Sequence, residues 1–265
     1  MKYLITFFFN SLFLKKLTLI LESVKIMNLL LAVFIFLLLS LVNSKDLTYY
    51  DLEKRKDLYF NGTSNIPYTG SVKGLIQGSF VKGKKEGKHM KYYENGNTLS
   101  QSNFKKGIPD GEWLEYHYNG KLLSKRNYNN GILEGLYIDY YRIGQILSIR
   151  IYKNNKLDGE YLDFYKNGLL QTKKNYKSGK LEGEYLIYHE YELVKKIQLK
   201  IRSFYVNGKL DGEYLLYDEQ GRLRGKSFYK NGKLEGEHLH YNNKGLLLEK
   251  RIYKNGTLIE IKPNN

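Results

Sequence analysis

Asn207–Tyr217 reads NGKLDGEYLLY, and its words return along the chain at a fixed interval. The Gly that follows an acidic or Lys-rich turn recurs as Gly87, Gly111, Gly135, Gly159, Gly183, Gly212 and Gly236. The steps are 24, 24, 24, 24, 29 and 24 residues. Such a period marks one supersecondary unit copied along an array, which grows along one axis and needs no central core. It also argues against an enzyme, since an active site is normally single.

With the leading Gly as position 0, position 2 holds His89, Trp113, Tyr137, Tyr161, Tyr185, Tyr214 and His238, all rings. Position 3 is aliphatic or Met, from Met90 and Leu114 to Leu239, and position 5 is aromatic, from Tyr92 to Tyr241. Position 9 is Gly except at Glu192, position 17 is Phe104 or Tyr, and position 20 is Gly except at Asn155. Asn is the residue that best replaces Gly at positive φ. Pairs such as Asn95-Gly96, Asn119-Gly120 and Asn231-Gly232 are hairpin signals. The pattern predicts two strands and two turns per unit. A three-residue loop ending in a left-handed Gly sets position 5 opposite position 11, which is mostly aliphatic; a two-residue loop sets it opposite the mixed position 12. Burial fixes register, so the three-residue loop is preferred. Position 3 then faces position 13, and positions 3, 5, 11 and 17 share the face expected to be buried. The position-2 rings and many Lys and Arg fall on the other face.

The expected fold is all-β: an elongated array of antiparallel hairpins over residues 58–265, preceded by a hydrophobic helix. With strands about 4.8 Å apart, seven units and a cap give a twisted sheet roughly 70–80 Å long. Residues 45–57 read as a linker or lead-in strand, and Leu58–Gly70 opens the array. A five-residue insertion within 184–208 reads as a longer hairpin with a protruding bend. Ile259–Ile261 reads as a closing strand.

The chain has 265 residues, a formal net charge of +16, 26 Tyr and no Cys. The missing Cys excludes disulfides, thiolate metal sites and cysteine nucleophiles. Residues 26–44 carry no charge between Lys25 and Lys45, a length that fits a signal peptide or a membrane anchor. Val42 and Ser44 suit a cleavage site that leaves Lys45 first. An earlier apolar run, Tyr3–Leu14, makes Met27 the expected true start. An uncleaved segment, with Lys15, Lys16 and Lys25 inside, sends the repeats outward. Residues 1–44 hold four Lys and one Glu, leaving +13 on the remainder.

The run Tyr229–Gly236, YKNGKLEG, followed by Tyr241 and Gly245, resembles a MORN repeat. Over about residues 58–260 the array is similar to the bacterial MORN variant of proteins labelled antitoxins of toxin–antitoxin systems. It departs from the eukaryotic pattern by placing Tyr161, Tyr185, Tyr214 or His238 where a second Gly is usual. The phospholipid binding proposed for eukaryotic members is therefore not carried over. The resemblance implies antiparallel hairpins, a binding or scaffolding role, and no catalytic residues.

The acid-Gly-acid triplets, such as Asp158-Gly159-Glu160 and Asp211-Gly212-Glu213, are expected to pair across strands with Lys156, Lys180, Lys209 and Lys233 rather than to hold a cation. His238 and His240 lack a third ligand at metal-site spacing. No catalytic residue, cofactor or metal is expected. The candidate binding surface joins Trp113, Tyr137, Tyr161, Tyr185 and Tyr214 with Lys174, Lys196, Arg202, Lys226 and Arg251. The reading is a non-catalytic scaffold, exported or membrane-anchored at a bacterial envelope. Its partner is expected to be a protein, or an anionic envelope polymer or lipid, and not nucleic acid. The alternative is a cytoplasmic antitoxin that masks a protein toxin.

Overall fold

The computed structural model describes residues 22–31, 34, 46–190 and 197–263. The chain divides into two compact units, Met1–Leu47 and Thr48–Asn265. In the first, residues 22–31 and 34 are helical, with Ile26, Leu29, Leu30 and Phe34 exposed. The helix described there is short. Among the described residues no helix is long and apolar enough to cross a membrane. Most of the expected 26–44 segment, and the run Tyr3–Leu14, lie outside the described residues.

The second unit is antiparallel sheet. Leu52–Arg55, inside the lead-in segment, pairs with Leu58–Asn61. This hairpin meets the array through Tyr59 N–H donating to the Gly83 carbonyl (2.8 Å) and Gly83 N–H to that of Tyr68 (2.7 Å). From Gly70–Val72 to Thr257–Pro263 each strand pairs with the next, taking the two-residue stretches 108–109 and 132–133 as broken starts of the strands that follow. No ladder joins Thr257–Pro263 to Gly70–Val72 among the described residues. The array is one continuous meander.

The register follows from two kinds of turn. At positions 19 and 20 both residues have positive φ, as in Asn231 (51°) and Gly232 (82°), and Asn155 (63°) does the work of the missing Gly. Consecutive positive φ values define the two-residue turn whose twist matches a hairpin. The other turn is the expected three-residue loop: His117 N–H donates to the Lys121 carbonyl, and Gly120 sits at φ 80°. Position 5 accordingly meets position 11, as in Tyr140↔Ile146 and Tyr217↔Leu223.

Beyond that pair the expected register is corrected. Position 12 is extruded as a bulge, so position 3 meets position 14 (Ile138↔Ile149) and position 4 meets position 13 (Asp139↔Ser148). One unpaired residue moves every later side chain to the opposite face. Position 17 therefore lies with the position-2 rings, not with positions 3, 5 and 11. Burial follows suit: Ser124 (2 % exposed) and Ser203 (1 %) are closed in on the ring face, whereas Leu123, Lys125 and Asn127 on the other are exposed. Among the described residues only Val72, Phe80 and Leu215 are buried hydrophobics.

The acid-Gly-acid triplets are corrected too. Asp158, Gly159 and Glu160 bulge against the single residue Ile151 of the preceding strand. The first acid of each triplet takes the backbone N–H of position 19 of its own unit, twenty residues on, or twenty-five where the insertion intervenes. Asp110, Asp158, Glu182, Asp211 and Glu235 all do so, as does Glu86. The second acid pairs with position 14: Glu112–Lys125, Glu160–Lys173, Glu184–Arg202, Glu213–Lys226 and Glu237–Lys250. The expected partners Lys156, Lys180, Lys209 and Lys233 each open the same strand as a triplet and do not pair with these acids across strands. In the insertion, residues 191–196 lie outside the described residues, and its base is closed by His189 N–H donating to the Gln198 carbonyl (2.9 Å).

The N-terminal end is packed around His89, which is 4 % exposed and whose Nε2 lies 2.9 Å from the Ser79 carbonyl. Its ring lies flat on Gly78, where an added Cβ would collide with the imidazole. Gly78→Ala should cost about 1–3 kcal/mol by overpacking. Gly225→Ala, whose Cβ would make only ordinary contacts, should change urea stability little. Burial lowers the His89 pKa from 6.5 to about 4. The unfolded chain binds that proton first, so stability should fall as pH drops from about 6.5 to 4, by at most about 3 kcal/mol. His89→Gln should flatten this limb in urea melts; an unchanged limb would refute the assignment.

Candidate functional site

The ring face carries one row along the sheet. Because position 15 pairs with position 2 of its own unit and again with position 2 of the next, each position-15 side chain lies between two rings. Arg150 pairs with Tyr137 on one side and Tyr161 on the other. Its guanidinium stands 4.4 Å and 5.7 Å from those ring centroids. Arg126 lies between Trp113 and Tyr137 at 5.3 and 5.4 Å, and Lys174 between Tyr161 and Tyr185 at 4.0 and 5.7 Å. The rings also meet position 17 edge-on or tilted, as Trp113–Tyr128 (5.6 Å) and Tyr161–Tyr176 (6.0 Å). Each such contact contributes roughly 0.5–1.5 kcal/mol beyond area burial.

Every cation in this row is neutralised in place. Arg126 Nη2 reaches Glu115 Oε1 at 2.6 Å, and Ser124 Oγ donates to Glu115 Oε2 at 3.0 Å. Arg150 pairs with Asp139, which also accepts from Ser148 (3.1 Å). Lys174 lies 3.3 Å from Asp163, which accepts from Thr172 at 2.7 Å. The Arg126 guanidinium beside Glu115 holds its carboxyl below the usual carboxylate range. Burial, reinforced by Asp163, pushes the Tyr161 hydroxyl up to about 12. In the units led by Gly183 and Gly212 the acid is replaced by Ile187 or Leu216 and the cation by Ser203 or Ser227. Charge appears in the row only as matched pairs.

The ten expected surface residues do not form one patch. Trp113, Tyr137, Tyr161, Tyr185, Tyr214 and Lys174 share the ring face, as does Arg251, paired with Glu249 at 2.9 Å. Arg202 and Lys226 stand on the opposite face, paired with Glu184 and Glu213. Lys196 lies outside the described residues. Sequence reasoning missed position 6, where Tyr93, Tyr141 and Tyr165 donate their hydroxyls to the position-5 carbonyl of the next unit (2.8 Å each). His117 and His189 reach the same carbonyls at 3.3 and 3.1 Å. The signal was available, since these side chains recur at the repeat interval and all carry a polar tip.

Unpaired charge collects elsewhere. Across the two-residue turns, Lys153 faces Lys156, Lys177 faces Lys180, and Lys230 faces Lys233. None of the six is in an ion pair among the described residues. These turns fall on one rim of the sheet, so the array presents a lysine rim beside a ring face whose cations are paired in the units led by Gly111, Gly135 and Gly159. Among the described residues no cluster of three or more His, Asp or Glu is placed to hold a metal ion.

The class defined by this geometry is a β-hairpin repeat array. More particularly, the family model described as MORN repeat variant matches residues 85–106, 109–130, 157–178, 210–231 and 224–243. The first four matches each begin two residues before the leading Gly and end at position 19. The unmatched units are led by Gly135, followed by Leu136 in place of the acid, and by Gly183, which carries the insertion. No curated protein matches the chain.

The two kinds of ion pair should differ in strength. A double-mutant cycle on Arg126 and Glu115 (R126M, E115Q) should give a coupling of about 1–3 kcal/mol, because the pair is part-buried and stacked. The same cycle on Lys173 and Glu160, on the exposed face, should give under about 1 kcal/mol. Equal couplings would mean that the ring face does not shield its charges.

Proposed function

We propose that the protein is a non-catalytic interaction scaffold, exported or membrane-anchored at a bacterial envelope, that engages an anionic partner along its lysine rim. Repeats of the matched kind generally mediate protein or membrane interactions, which supports the scaffold reading. The observation that carries the anionic partner is the lysine rim. Like charges directly opposite each other on paired strands destabilise the hairpin. The ring face shows that this chain places an acid beside a buried cation in three successive units. At the rim these lysines are in no ion pair among the described residues, and the nearby carboxylates accept from backbone N–H groups, which suits an acidic protein or an anionic envelope polymer. The half-buried rings of Trp113, Tyr137, Tyr161, Tyr185 and Tyr214 border this rim as a second contact surface. The uncharged stretch 26–44 supports export or anchoring.

The test is cell fractionation with N-terminal sequencing, alongside a variant carrying Lys153→Glu, Lys177→Glu and Lys230→Glu. A chain starting at Lys45, or one retaining residues 27–44 in the membrane, is expected in the envelope fraction. The variant should lose an envelope-bound partner that high salt also releases. A soluble cytoplasmic chain that co-purifies with a toxin would replace this reading with the antitoxin one.

A further inference from the structure

Position −2 of the unit, two residues before the leading Gly, is Pro109, Leu133, Leu157, Leu181, Leu210 and Leu234 in six units and Lys85 in the first. Lys85 is part-buried, its ammonium 4.8 Å from the Phe104 ring centroid and 5.8 Å from that of Tyr49. It lines a cleft of about 420 Å³ between the lead-in hairpin and the first repeats. Lys54, Lys84 and Lys106 open onto the same cleft, with Asp57 its single carboxylate, and Tyr59 beside Phe104. None of the four lysines is in an ion pair among the described residues. The nearby Glu86 accepts the Lys106 backbone N–H. Elsewhere on the ring face every inward cation of three successive units has its own acid. Here the repeat's leucine is exchanged for a lysine, Lys54, Lys84 and Lys106 line the same cleft, and Asp57 is the one carboxylate among its lining residues.

Partly burying an ammonium costs free energy unless an anion meets it. Burial indeed pushes the Lys85 ammonium below the ordinary lysine range, and the charges of Lys91 and Lys54 add to this. Four lysines lining one cleft, Lys85 part-buried and the other three exposed, supply point charges suited to a compact, multiply charged oxyanion. The volume exceeds that of a single ion, and the two rings leave room for a flat organic group.

We propose that this cleft binds a phosphate-class dianion, a phosphomonoester or pyrophosphate group, with Lys85 as its central ligand. The site lies at the N-terminal end of the rim, where Lys84 and Lys106 stand at two-residue turns, and Lys85 sets it apart from the remaining turns, so it stands whether or not those engage a partner. The phosphate can come from a soluble metabolite or from a lipid headgroup, and the test distinguishes the two.

The experiment measures binding of inorganic pyrophosphate to the full chain by titration calorimetry and by melting temperature, at constant ionic strength. Lys85→Leu restores the residue of the other units and should fold at least as stably as the parent. Lys180→Gln, on the rim, is the control. The parent should bind saturably and melt higher with pyrophosphate. Lys85→Leu should lose about tenfold or more in affinity, and Lys180→Gln should not. Co-sedimentation with phosphatidylcholine vesicles, with and without phosphatidic acid, supplies the second arm. Binding confined to phosphatidic acid vesicles and lost in Lys85→Leu supports the site with a lipid source. No binding in either arm, or equal losses in both variants, overturns the proposal.

Discussion

The structure depends on a backbone constraint. The leading Gly of each unit lies at positive φ inside a bulge in which three residues oppose one. Without that bulge, position 2 of one unit would not stand opposite position 15 of the unit before. The cations of the row would then each meet one ring, not two. The cost falls on the backbone, in a region that only Gly enters freely. The return is a side-chain row that passes from unit to unit without a gap. Stability in such an array is the sum of what each unit holds and what each interface adds. Here the interface share comes from the shared rings, the turn-capping carboxylates and the position-6 tips.

Much of this was legible in the sequence. The period, the hairpins, the three-residue loop, the 5–11 pairing and the role of Asn155 follow from where Gly and Asn recur. What was not legible is the bulge at position 12. Leu123, Leu147 and Leu248 occupy it, and an aliphatic residue in a strand gives no sign that it is unpaired. A single such residue reverses the face of all that follows, which is why Tyr128 and Tyr152 were assigned with the leucines when they lie with the rings. The same slip hid the Asp139–Arg150 and Asp163–Lys174 pairs. Eleven residues apart in sequence, they look unrelated until the register is known.

The candidate surface was legible in its rings and obscure in its charges. Position 2 announces itself by seven rings in a row. Basic residues occur on both faces and at the turns, and sequence alone does not say which are already matched. Lys174 and Arg251 are paired beside the rings, and Arg202 and Lys226 beside the leucines. The lysines that remain unmatched flank Asn-Asn, Ser-Gly or Asn-Gly turns, where their number resembles ordinary solvation. Only the cross-strand pairing shows that they face one another.

The two rims of the sheet differ in how they are tied. On the lysine rim, a carboxylate clasps the backbone of the adjacent turn, twenty residues on in most units and twenty-five on for Glu182. On the other, a side-chain tip reaches the neighbouring carbonyl. His189 makes that reach to Tyr217 across 28 residues where Tyr165 makes it to Tyr188 across 23. The five extra residues of the longer unit are absorbed at the loop without disturbing the tie. Length variation is therefore confined to one side of the molecule. That side can take on new loops, and with them new specificities, while the opposite side preserves the pitch of the array.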